Sequence, residues 1–386
     1  MRVYLDHNAT TPLDPEVLEA MLPYLSERFG NPSSVHSFGR EARKALEEAR
    51  TTVARLIGAA EKEALVFTSG GTEANNFAIK GAAYAYRERG RHLIASAVEH
   101  PAVLETLHYL SRDGFDVTLL PVDPEGLLDL EALERAIRQD TILISLMHAN
   151  NETGVLFPIA DVGRITRERG VLFHTDAIQG FGKVPIDVEA LGVDLLSLSA
   201  HKLYGPKGVG ALYIRPGLRM IPLHHGGHQE QEKRGGTTNV AGVVGLARAA
   251  ELAHARIGEE EERLRFLRDK LEGGILEWIE GVRRNGHPIS RLPNTSSLSF
   301  EGIDTESLLV GLDLEGIAAS SGSACSSGSL KPSHVLKSMG VPEGWASLRL
   351  SLGRGTTEEE IDYVLEVLPI LVERLRKASK LELLVR

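Results

Sequence analysis

Cysteine is nearly absent, with one residue, Cys325, in a chain of 386. A single thiol cannot form an internal disulfide, so the chain suits a reducing compartment, and a second thiol would have to come from another molecule. An excess of positive charge is absent too. The 43 Lys and Arg against 53 Asp and Glu leave a formal net charge of -10, and a chain without a basic field is not expected to bind nucleic acid or an anionic membrane. No apolar run approaches membrane-spanning length. The N-terminal MRVYLDHNATTP carries no apolar core behind a basic start, so a cytoplasmic location is expected. No internal repeat is visible. What remains is 42% hydrophobic and 25% charged residues, the composition of a globular chain with a proper core and length enough for two domains.

The only low-complexity segment holds the only cysteine. In SSGSACSSGS, Ser320 to Ser329, every residue around Cys325 is Ser, Gly or Ala. Structural cysteines sit among apolar side chains, whereas Ser and Gly make a solvated, adaptable backbone. The setting suits a tolerated surface thiol in a linker or a thiol that must move and react.

From about Leu65 to Leu212, short apolar runs (LVFTS, HLIASA, DVTLL, TILISLM, VLFHTDA, DLLSLSA, GALYI) alternate with helical stretches such as EANNFAIKGAAYAYRERG. This predicts βαβ units and a mostly parallel seven-stranded sheet covered by helices, with ligands at the carboxyl ends of the strands. An amphipathic helix is expected over Arg40 to Ala59. The pattern fails between Leu223 and Asn239, which reads as a long functional loop. A charged helix is expected around Glu259 to Glu280. A weaker α/β section then holds a strand at Thr295 to Phe300, a helix from Asp304, the Cys325 loop, the strand SLRLSL and a last helix from Thr357. The expected division is a large domain over 16-257 and a smaller α/β domain from 1-15 and 258-386, with the cysteine loop at about 320-335.

Four strand-end positions carry chemistry. Lys202, after a strand in LSLSAHKLYGPKG, can face a crevice and form an imine with an aldehyde, or be a solvated surface lysine. Asp176 in HTDAIQG can keep a pyridine nitrogen charged, as an electron sink requires, or cap a helix. Thr72 follows a Gly-Gly turn in FTSGGTEANN, where a helix start binds phosphate or is merely capped. His100 in EHPAV can stack on an aromatic cofactor and shuttle protons, or simply end a strand. If the sheet is parallel, all four project to one edge.

These residues, with YLDHNATTP, FGNPSSVHSFG, MHANNETGV, SSGSACSSGS and SLRLSLGRGTTEEEID, make the chain resemble, nearly end to end, the NifS-like cysteine desulfurases, pyridoxal-phosphate-dependent enzymes of the class V aminotransferase superfamily that feed iron-sulfur cluster assembly. The resemblance implies an aminotransferase-like α/β fold and conversion of L-cysteine to L-alanine. Lys202 would hold the cofactor aldehyde, Asp176 its pyridine nitrogen and Gln179 its phenolic oxygen, with His100 on the ring. Gly71, Thr72, Ser199 and His201 would hold the phosphate, with Thr237 reaching in from the second subunit of a homodimer. Asn151 and Arg349 would take the substrate carboxylate. Cys325 would receive the sulfur as a persulfide and pass it to an acceptor protein such as an iron-sulfur scaffold. No metal is implied. The long interval from Cys325 to Arg349 resembles the long-loop group. Gly235 stands where the family often has Ser before Gly-Thr, and Ala200 where it often has Gly before His-Lys. Two other readings remain: a selenocysteine or other β-eliminating lyase, which would not need Cys325, and a non-catalytic sulfur carrier, against which Lys202, Asp176 and His100 speak together.

Overall fold

The computed structural model describes residues 1-322 and 333-385. Its strands, in chain order, are β1 (Val3–Tyr4), β2 (Leu65–Thr68), β3 (His92–Ser96), β4 (Asp116–Leu120), β5 (Thr141–Ser145), β6 (Leu172–Asp176), β7 (Leu195–Ser199), β8 (Gly210–Ile214), β9 (Val282–Arg284), β10 (Thr295–Phe300), β11 (Ile317–Ala318) and β12 (Ala346–Ser351). The seven runs read from the sequence form one sheet in the order β2-β8-β7-β6-β5-β3-β4. Only β8 runs against its neighbours β2 and β7. All residues of β2, β3, β5, β6, β7 and β8 are buried, as expected of strands covered on both faces. Because β2, β3, β5, β6 and β7 share a direction, their carboxyl ends meet at one edge.

A second core gathers Val3, Leu5, Leu267, Leu271, Leu298, Phe300, Leu348, Leu350 and Leu368, under the small sheet β12-β10-β9 and the β1-β11 pair. The helix expected around Glu259 to Glu280 instead runs from Val240 to Trp278. Its first half buries Val243, Leu246 and Ala250 in the large core. Its second half buries Leu264, Leu271 and Ile275 in the small one. The charged GEEEER stretch between them reads as a break in the apolar pattern, yet Glu and Arg are good helix formers, so the helix continues across it. The amphipathic helix expected at Arg40 to Ala59 is found at Ser37–Leu56, with Leu46, Ala49 and Val53 turned into the large core.

The aperiodic Leu223 to Asn239 segment is tied down by charge. Glu230, in left-handed backbone at φ 47°, takes both Nη atoms of buried Arg50 at 2.7 and 2.9 Å and the Phe67 N–H at 2.9 Å. A bidentate pair that also satisfies a strand-edge donor holds this loop onto β2. Among the described residues no helix is long and apolar enough to cross a membrane.

Candidate active site

A cavity of about 690 Å³ opens at the carboxyl edge of the large sheet, within the size range of small-ligand and cofactor sites. Gly71, Thr72, His100, Asn151, Asp176, Gln179, Ser199, His201, Lys202 and Arg349 all line it. Thr237 does not; it is exposed on the loop beyond Arg234. Cys325 lies outside the described residues.

The chain positions each group for a local reason. Asp176 ends β6; Asn75 Nδ2 donates to its Oδ2 at 2.6 Å and the Ile178 N–H to its Oδ1 at 3.0 Å. Burial nevertheless pushes its carboxyl above the usual range, against the pull of His100, those hydrogen bonds and Lys202. These partners do not offset its burial, and a protonated pyridine nitrogen would add the missing compensation. Lys202 follows β7, and its Nζ donates to the backbone oxygens of Asn8 and Ala9, each at 2.6 Å. Ser199 Oγ is buried without a hydrogen-bond partner. Beside it the helix Gly71–Tyr86 begins at Gly70, which provides no side-chain cap and has nothing within 4 Å of where a Cβ would sit. An uncapped helix start and an unpaired hydroxyl suit a phosphate. His201 Nδ1 lies 3.2 Å from Thr10 Oγ1. Burial, with Lys202 and Lys207, lowers its pKa to about 4.

His100 caps the helix Pro101–Arg112, its Nδ1 accepting the Ala102 N–H at 3.0 Å; this leaves Nε2 as the ring's donor. Arg349, on β12, is 3% exposed. It donates Nη1 to the Asn151 backbone oxygen at 2.9 Å and Nη2 to Asp6 Oδ1 at 2.7 Å. Its buried Nε has no hydrogen-bond partner among the described residues. The donor set fits pyridoxal phosphate: a lysine for the aldehyde, an undercompensated carboxylate for the ring nitrogen, and an anion cradle at a helix start.

Several contributors were not singled out from the sequence. Asn8 reaches the cavity with four hydrogen bonds on its two oxygens, from Lys202, Gln179, Lys183 and Asn294. Asp6 holds Arg349, and Asn75 holds Asp176. Asp6 and Asn8 lie in YLDHNATTP, whose spread of polar residues after two apolar ones is a signal without a partner until the fold supplies one.

Glu99, next to His100, is buried. Its Oε1 accepts from Ser96 Oγ at 2.6 Å and the Met147 N–H at 3.0 Å, while Oε2 has no partner. Burial, chiefly, pushes its pKa up to about 8. A raised carboxyl favours folding fully below its unfolded value near 4.5, and that contribution is lost as pH rises through about 8. The melting temperature of the wild type is therefore expected to fall relative to E99Q between pH 5 and pH 9, read by thermal denaturation; a constant gap between the two would refute an uncharged Glu99.

The aminotransferase class-V family matches residues 3–364. A Dictyoglomus turgidum protein named cysteine desulfurase IscS is 55% identical over 379 residues, covering 98% of this chain and 96% of its own. A Methanosarcina thermophila protein of the same name is 54% identical over 381 residues, covering 98% and 94%. A solved structure titled NifS-like protein superposes with a TM-score of 0.91 at 42% identity, covering 97% of this chain and all of its own.

Proposed function

The chain belongs to the aminotransferase class-V family, and from that premise we propose how its residues divide the work of a cysteine desulfurase. It is a pyridoxal-phosphate-dependent enzyme that takes sulfur from L-cysteine and leaves L-alanine. The bound cofactor supplies an electron sink for the bonds broken at the substrate's α and β carbons. Lys202 would hold the cofactor aldehyde, and its amine would serve as the base that takes the substrate's α-proton. Asp176 would hold the ring nitrogen in its protonated form. Arg349 Nε and Asn151 orient the substrate carboxylate. His100 carries a proton from Nε2. Cys325 as thiolate attacks the substrate sulfur: the S–S bond forms, the Cβ–S bond breaks with its electron pair left on carbon, and protonation there gives the methyl group of alanine.

The carrying observation is the convergence in one cavity of Lys202, buried Asp176, the bare helix start at Gly71 and the free Arg349 Nε. The finer partners are part of the same reading: a cytoplasmic homodimer in which Thr237 of the partner subunit completes the phosphate cradle, and an acceptor protein, such as an iron-sulfur scaffold, that receives the sulfur. Exposed Leu22 and Leu25 on the helix Pro15–Ser26, Phe29 and Val35 in the segment after it, and Phe38 in the first turn of the next helix, with the Phe29 and Phe38 rings 5.7 Å apart, support a second copy covering that stretch. The testing experiment incubates the protein with L-cysteine, pyridoxal phosphate and a reductant. Alanine and sulfide in equal amounts are expected; pyruvate in place of alanine would show β-elimination and overturn the reading.

A further inference from the structure

Lys183 sits behind the cavity, two residues beyond Phe181 and near the groups that hold the cofactor in the reading above, on which this inference rests. Its Nζ donates to Gln179 Oε1 at 2.8 Å and to Asn8 Oδ1 at 3.2 Å. Among the described residues no carboxylate lies within 4.0 Å of it. The charges that act on it are Lys202 and Arg349, with His7 alongside, and it lines a small second cavity with Tyr204, Glu260, Glu261 and Arg354. A cation placed there without a counter-ion, on two amide oxygens, costs stability, and its use lies in what those amides do. The Gln179 amide gives one Nε2–H to the Asn8 backbone oxygen at 2.9 Å. With Oε1 taken by Lys183, the second Nε2–H is the donor left for the cavity, which Gln179 lines. The same Asn8 oxygen receives Lys202 Nζ at 2.6 Å, so Lys183, Asn8, Gln179 and Lys202 form one hydrogen-bonded unit.

We propose that Lys183 is a positioning residue for the reaction: by holding Gln179 Oε1 and Asn8 Oδ1 it locks the Gln179 amide with its N–H toward the cofactor's phenolic oxygen, and its charge favours that oxygen in the ionised form. Burial, followed by the like charges of Lys202 and Arg349, lowers its pKa to about 7. Ammonium and amine both donate to Oε1, so the lock persists across that titration.

The test compares wild type, Lys183→Met, Lys183→Gln and Lys183→Arg at matched cofactor content. An ionised phenolic oxygen absorbs at longer wavelength than a protonated one. K183M is expected to move part of the visible absorption to the shorter-wavelength form at fixed pH, and K183R to restore it. In K183M, kcat for alanine release should fall about tenfold, as loss of one hydrogen bond to a charged oxygen implies, with KM for L-cysteine nearly unchanged. A merely structural role would lower the melting temperature and cofactor content without moving the band. If K183M does not fold, K183Q, which fills the space without a charge, reads the same shift. An unchanged band and kcat in a folded K183M or K183Q overturns this inference alone, while a wild type that takes up no pyridoxal phosphate overturns the reading it rests on as well.

Discussion

Cys325→Ser is expected to reduce alanine release from L-cysteine to that of a protein-free control with pyridoxal phosphate, and to leave the visible absorption of the bound cofactor as in the wild type. The argument rests on the nucleophile. A thiolate attacks sulfur readily, whereas a serine hydroxyl stays protonated at neutral pH and has no neighbouring base assigned to it. None of the groups holding the cofactor changes in the variant, so binding and removal of the α-proton survive. Alanine is measured in single-turnover and steady-state reactions with reductant present. Equal alanine from both proteins would take Cys325 out of the chemistry. Since one cysteine is all the chain has, no other thiol of the same chain can stand in for it.

Lys202→Ala is expected to lose the covalent link to the cofactor outright and to slow alanine release by on the order of 10² to 10⁴-fold from loss of the proton carrier alone. Its Nζ rests on the Asn8 and Ala9 oxygens, 2.6 Å from each, which aims it into the cavity before any ligand arrives. Borohydride should fix cofactor to the wild type and not to K202A. The arginine variant should not rescue, since a guanidinium that stays protonated cannot condense with an aldehyde. Borohydride-stable cofactor in K202A would mean that another amine makes the link, and Lys183, behind Gln179, would be the first to test.

Much of the scaffold was legible from short-range pattern. All seven runs of the large sheet are strands in the positions read; six are fully buried, and such a strand must be a short apolar run bounded by turn residues, while edge strand β4, half exposed, is found by its β-branched alternation. The strand expected at Thr295 to Phe300 is found there, and the helix expected from Asp304 is Thr305–Leu314 with Asp304 as its cap. The helix start misplaced to Glu259 shows the limit. Its pattern changes where one core ends and another begins, and a local window cannot tell a change of partner from an end of helix.

By itself, then, the sequence determined the strand-helix alternation and, through it, that Thr72, His100, Asp176 and Lys202 stand at strand ends that face one edge of a parallel sheet, since period and turn chemistry are local properties of the chain. Only the tertiary structure decided that Asn8 would meet Lys202, Lys183 and Gln179, that Asp6 would hold Arg349 across 343 positions of chain, and that Glu230 would close on Arg50 across 180. Those pairings come from which surfaces pack together once the sheet and the second core have formed, and a residue's own neighbours in sequence carry no record of that choice.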